Sequence, residues 1–259
     1  MPLILQSRLP MAPWMDPRTA RLPGVQPDDG QAWLSVDDAF APQMALRDAL
    51  IAEKPAVVLG LLPEGHAVAA ELYDLVLARL ATTGGYRVAA DAATRPDGVT
   101  VLLDPTRPLV TLGRLVQEDL CLMQKLGDQH VLTGACLCFP SSWSLSEKLG
   151  RPLADIHRTV AAYQPNLAES VQRMFDAIRP GQPLWRMNAL VYVNPDLHQP
   201  GVEGAPRTDR RGGQYLRAER QSFVRLPRTG AVLFAIHTYV VRTDSLTEAE
   251  RSALETARL

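Results

Sequence analysis

The chain has 259 residues, 46% of them hydrophobic and 21% charged, and its 27 Lys and Arg against 28 Asp and Glu leave a formal charge of −1. This is a globular composition and not a disordered one. The charge balance excludes a basic nucleic-acid footprint and offers no electrostatic attraction to an anionic membrane.

Taken in chain order, residues 1–43 read as an extended, Pro-rich arm. Pro2, Pro10, Pro13, Pro17, Pro23 and Pro27 each fix φ and remove a donor, and Trp14 and Trp33 are candidate anchors. The segment MPLILQSRLPMAPW has no basic leader and only a short apolar run, so no signal peptide is expected. Helical periodicity begins at Met44. Residues 64–82 carry Ala67, Ala70, Leu72, Leu75, Val76 and Leu80 at i, i+3, i+4 spacing, and Gly84-Gly85 stops them.

The same rhythm predicts a second long helix over 109–126, with Leu112, Leu115, Val116, Leu120 and Met123 apolar and Glu118, Asp119 and Lys125 polar. Residues 129–139 alternate as a strand, apolar on both faces, that ends at Pro140. Ser144 and Glu147 form a capping-box pattern for a short helix closed by Gly150 and Pro152. An amphipathic helix follows over 167–178. Strands are expected over 184–193, 216–226 and 231–241, and a last helix over 247–258 with Thr247 as its cap and Glu250 three residues on.

The loop over 195–214 is rich in Gly, Pro, Asp and Arg, and a loop of that length is usually functional or mobile. Arg207, Arg210 and Arg211 in it could dock a partner or cover a pocket. Helices dominate the first half and antiparallel-type strands the second, which predicts an α+β fold in a single domain over 1–259.

Cys121, Cys136 and Cys138 are too few for a disulfide framework and lack paired CxxC spacing for zinc. They are expected as small buried hydrophobes in a reducing compartment. The longest apolar stretch, 231–241, contains His237 and is too short to span a bilayer, so a soluble, cytoplasmic protein is expected. The five histidines are His66, His130, His157, His198 and His237, and none stands in an HExxH motif. There is also no Gly-x-Ser-x-Gly elbow, Walker loop or GxGxxG, so phosphoryl transfer and dinucleotide binding have no support.

Four segments carry more information: LVQEDLCLMQK (115–125), CFPSSWSLSEKLGRPLADIHRTVAAY (138–163), VQRMFDAI (171–178) with RMN (186–188), and LRAERQSFVRLPRTGAVLFAIHTY (216–239). Together they resemble the α-subunit-like family of haem-dependent oxidative N-demethylases over about residues 30–245, most specifically in Phe-Pro-Ser-x-Trp followed by Glu-Lys-Leu-Gly-x-Pro-Leu and Ile-His. The resemblance implies a PAS-like haem domain, an antiparallel sheet with surrounding helices. It implies haem b as cofactor and O₂ with a small secondary amine such as dimethylamine as substrates. Electrons would come from a partner reductase carrying NADPH, FMN and an iron–sulfur cluster, because no motif for these occurs in the chain.

The resemblance also assigns residues. His157 would ligate the iron; its flanks Leu153, Ile156 and Val160 favour the neutral imidazole that ligation needs. Trp143 would line or pack the haem pocket, with Phe139 and Pro140. Arg220 and Arg225 are stronger candidates for the haem propionates than Arg151 and Arg158. In a regular strand Glu219 faces away from Arg220, so only one of the two can line the pocket. Glu219 is the candidate carboxylate for an amine substrate. His237 stands where the family is expected to have arginine and Ala189 where it is expected to have tryptophan, both in strands expected to wall the distal pocket, and His237 is the second catalytic candidate. The alternatives are a haem-binding PAS-like sensor or carrier without turnover, and a haem-free relative that keeps the fold.

Overall fold

In the computed structural model the described residues are 3–20, 24–27, 33–156, 165–202 and 212–257, with backbone alone for 165–168. The elements in chain order are β1 (Gln26–Pro27), α1 (Phe40–Glu53), α2 (Pro55–Val58), β2 (Leu59–Leu61) and α3 (His66–Leu80). A small hairpin sheet, β3 (Arg87–Val88), β4 (Ala92–Thr94) and β5 (Thr100–Leu102), precedes α4 (Pro108–Gly113). Then come β6 (Asp119–Leu126), β7 (Gln129–Cys136), α5 (Leu145–Lys148), α6 (Leu153–Ile156) and α7 (Pro165–Ala177). The chain closes with β8 (Leu184–Tyr192), β9 (Tyr215–Arg225), β10 (Val232–Arg242) and α8 (Glu248–Thr256). This is the α+β class that the order of elements predicts.

The main sheet has seven strands in the order β1-β8-β9-β10-β6-β7-β2, and every recorded pairing in it is antiparallel. One face is covered by α1, α3 and α4, whose Leu50, Ile51, Leu72, Val76 and Leu112 pack with Leu120, Leu122, Leu233 and Ala235 of the sheet. Farther along the same face, Leu9 and Trp14 of the arm and Leu254 of α8 pack on Trp185, Met187, Ala189, Leu216, Ala218 and Tyr239. The opposite face packs Cys121, Met123, Leu137, Phe223 and Val232 against α5, α6 and α7 through Leu145, Leu153, Phe175 and Ile178.

The helix expected over 109–126 is corrected: helix α4 stops at Gly113 and strand β6 begins at Asp119. A Cβ on Gly113 would stand 2.4 Å from the Cys136 sulfur, so glycine lets the end of α4 press onto β7. β6 is flanked by β10 and β7 and buried on both faces, Leu120 and Leu122 toward one layer and Cys121 and Met123 toward the other. A strand apolar on both faces has no alternation to separate it from a helix.

The remaining large elements lie where the periodicity places them. Thr247 accepts from the Glu250 N–H while the Glu250 carboxylate accepts from the Thr247 N–H, completing the expected capping box. At α5 the Ser144 hydroxyl instead donates to the Glu147 carboxylate (2.9 Å), with no bond to the helix backbone. The arm is held at its anchor: the Trp14 indole donates to the Glu250 carbonyl at 3.0 Å.

Candidate functional site

Register places nine side chains of the three strands β8, β9 and β10 in rows on one face. Leu184, Phe223 and Phe234 form the first row, Arg186, Gln221 and Ile236 the second, and Asn188, Glu219 and Thr238 the third. Directly opposed residues in antiparallel strands share a face, so the rows grade from apolar to polar along the strands. Cys121 of β6 extends the apolar row beside Phe234.

This face is partly open. Along β8 and β9, Trp185, Met187, Ala189, Ala218, Arg220 and Ser222 are buried, whereas Arg186, Asn188, Glu219 and Gln221, on the opposite side of the pleat, are partly exposed. Phe234 is partly exposed although its strand has a neighbour on each side. Exposure at the middle of a sheet leaves that part of the face uncovered.

Glu219 is held on this face from two sides. Arg217 Nε donates to its Oε1 at 3.3 Å and Gln221 Nε2 to its Oε2 at 3.1 Å. Arg217 also donates to the carbonyls of Leu197 (3.0 Å) and Phe139 (2.5 Å), so one buried guanidinium fixes the carboxylate and two rim segments together. Those segments are tied to each other through Ser142 N–H to Gln199 O (2.9 Å), Ser141 Oγ with the Tyr192 hydroxyl (2.6 Å), and His198 Nδ1 with Cys138 O (2.8 Å). Ser142 has φ of 61°, a left-handed conformation held next to Trp143.

Trp143 packs against the apolar cluster of the same face, as does Ile156 at the end of α6. His157, the residue after Ile156, lies outside the described residues, and so do Arg158 and Arg207, Arg210 and Arg211. The Arg225 guanidinium is spent on backbone: it donates to Ile178 O (3.0 Å) and to the carbonyls of Gly230 and Phe175, binding α7 to the sheet. Arg186 differs from it. Its Nε is buried and has no hydrogen-bond partner among the described residues. Burial pulls its basicity down, and the charge of Glu219 only partly opposes this.

His237, Arg220 and Ala189 lie on the other face. His237 and Arg220 are register partners, and the Arg220 guanidinium lies 4.2 Å from the centroid of the Trp185 ring. His237 is enclosed by two carboxylates, with Nδ1 2.8 Å from Glu118 Oε1 and Nε2 3.0 Å from Asp37 Oδ2. Burial alone would lower its pKa; hydrogen bonds to Asp37 and Glu118 and their charges outweigh that and lift it to about 9. Asp37 is held below the usual carboxylate range, since the bonds from His237, Gln117 and Gln6 outweigh its own burial.

Around this ion cluster the side chains complete the backbone of β10. β6 pairs with β10 only as far as Ile236. Beyond it Gln43 donates to Thr238 O (3.0 Å), and the Gln6 side chain donates to the same carbonyl (3.2 Å) and accepts from the Val240 N–H (2.8 Å).

Of the sequence-predicted site residues, Trp143 and Glu219 thus share the open face, against which Ile156 also packs. Arg220 and His237 share the closed, arm-covered face, so the structure does not bring Glu219 and His237 together. Sequence reasoning missed Arg186, Gln221, Asp37 and Glu118. The period of two from Glu219 already places Gln221 on its face, whereas Asp37 comes from the arm, 200 residues from His237, and nothing local signals it.

A family model described as haem-dependent oxidative N-demethylase, alpha subunit-like, matches residues 24–258, nearly the whole chain.

Proposed function

The chain belongs to the haem-dependent oxidative N-demethylase, alpha subunit-like family, and on that premise we propose that it is a haem-dependent oxidoreductase that removes a methyl group from a small secondary amine of the dimethylamine type. The observation that carries the reading is Glu219, a carboxylate clamped by Arg217 and Gln221 on the partly open face of the sheet. The residues present fit the cofactor. A flat apolar group with charged edge substituents matches a face whose partly exposed side chains run from Leu184 and Phe234 to Arg186 and Glu219. His157 would hold the iron, and Trp143 would pack beside the ring.

When bound, haem b supplies the reduction of O₂ and the oxidation of the N-methyl carbon. The reaction consumes O₂, an electron pair and two protons and releases water, formaldehyde and the primary amine. The electrons come from a partner reductase with FMN, an iron–sulfur cluster and NADPH. The protein supplies position and a proton site. A secondary amine arrives as an ammonium, and the Glu219 carboxylate binds that charge and accepts its proton, exposing the neutral nitrogen. Arg217 and Gln221 keep the carboxylate oriented toward the open side. Phe234, backed by the buried Phe223 and Ile236, presents an apolar wall that keeps water from the reacting methyl group.

The test is a titration of the purified chain with hemin, followed by reduction and addition of dimethylamine under air. A Soret band that His157→Ala removes or shifts, and formaldehyde release that Glu219→Gln lowers by roughly a hundredfold with the Soret band unchanged, are the expected results. An absent Soret band refutes haem binding. A stable O₂ or CO complex with no formaldehyde from any small methylamine replaces the enzyme with a sensor or carrier.

A further inference from the structure

We propose that Arg186 is a carboxylate-binding residue of the open face and that its ligand is a propionate of the haem; the inference rests on the haem reading above. Arg186 stands in the row that separates Phe223 and Phe234 from Glu219, between an apolar floor and a polar one. No carboxylate pairs with its guanidinium among the described residues, and its Nε is buried without an acceptor. A buried guanidinium N–H with no acceptor is costly, and an anionic ligand would complete it.

The planar fork of arginine matches a carboxylate in two-point geometry. Position favours an anion with an apolar body. β1 pairs with β8 only at Leu184 and Trp185, so among the described residues no strand borders β8 at Arg186 and beyond. An amphiphile lying on the sheet would therefore rest its ring on Leu184 and Phe234, the partly exposed members of the apolar row, and direct its carboxylates to the open edge, where water covers what Arg186 does not. Glu219 repels a second carboxylate placed one row farther on, which fixes the direction in which the ring lies. Arg225 and Arg220 cannot take this part in the observed arrangement: the first is bound to three carbonyls and the second is on the other face.

The experiment uses the full chain and two probes, hemin and hemin dimethyl ester, which lacks the free carboxylates, with Soret titrations of wild type, Arg186→Met and Arg186→Lys. Arg186→Met should weaken hemin binding about ten- to a hundredfold, the worth of a charge-assisted pair, and leave the ester within about twofold of wild type. Arg186→Lys should recover part of the loss. The cofactor-free Arg186→Met protein should melt no lower than wild type, because it sheds a buried N–H that has no acceptor.

Equal losses for hemin and its ester, no loss for hemin, or a lower melting temperature of the cofactor-free variant would each overturn the assignment. A wild-type chain that takes up neither probe overturns the haem reading itself. A wild-type chain that binds hemin and is indifferent to position 186 overturns this inference alone.

Discussion

His237 carries its proton because both ring nitrogens must donate: Glu118 and Asp37 offer only acceptors. Its folded pKa of about 9 lies above its ordinary value of 6.5, so its stabilising effect is complete below about pH 6.5 and is lost as pH rises through about 9. Asp37 has the opposite sign, with a depressed pKa whose contribution is present above the ordinary carboxylate value and lost on acidification. Tyr239 stacks near the ring and Arg220 is its register partner; burial pushes the Tyr239 hydroxyl far up, so it stays neutral across this range. Melting temperature should therefore be highest at mildly acidic to neutral pH and fall toward pH 9. His237→Arg, whose charge does not titrate, should flatten the alkaline limb, and parallel limbs for the two proteins would refute the account. His237→Ala leaves the buried Glu118 and the partly exposed Asp37 without a cation and should cost about 3 kcal/mol in urea unfolding.

At the scale of elements, the informative case is the passage from α4 to β6. Leu109 to Leu126 has helical spacing throughout, yet only the first part is helix. The second part is a strand because it is sandwiched: β10 and β7 take its backbone bonds, and apolar layers take both sets of side chains. Periodicity reports one-sided burial, so it located α3, α7, α8, β8 and β9 and misread β6, a strand buried on both sides whose apolar residues happen to fall at helical spacing. The break between the two elements is Gly113, where the close approach to Cys136 sets the limit. Gly113→Ala should cost about 1–3 kcal/mol by overpacking. Cys136→Ala in that background should cost less than it does in the wild type, because the added methyl would occupy the space of the lost sulfur. Strict additivity in a double-mutant cycle by urea unfolding would show that the contact is not what ends the helix.

At the scale of the whole molecule, the sheet is a partition. Residues separated by one position in the signature segments, Glu219 and Arg220 or Arg186 and Met187, are committed to different environments by the pleat alone. That much was legible: strand alternation told that Glu219 and Arg220 could not share a pocket. What alternation does not reveal is which layer covers which face. The arm closes over His237, Ala189 and Arg220 through contacts that join residues 6 and 37 to residues 237–240, and no local pattern encodes a pairing across most of the chain. His237 and Ala189, both expected to wall the distal pocket, therefore fall on the arm side. His237 helps hold the arm, and the partition separates that from the open face. The two sides should then respond independently. His237→Gln should lower stability while leaving hemin affinity within about twofold. The unfolding free energies of His237→Gln and Arg186→Met should add in the double variant to within about 0.5 kcal/mol, as expected of sites with no common partner. A coupling well above that, or a Soret shift caused by His237→Gln, would mean that the sheet transmits between its faces and that the arm takes part in the chemistry.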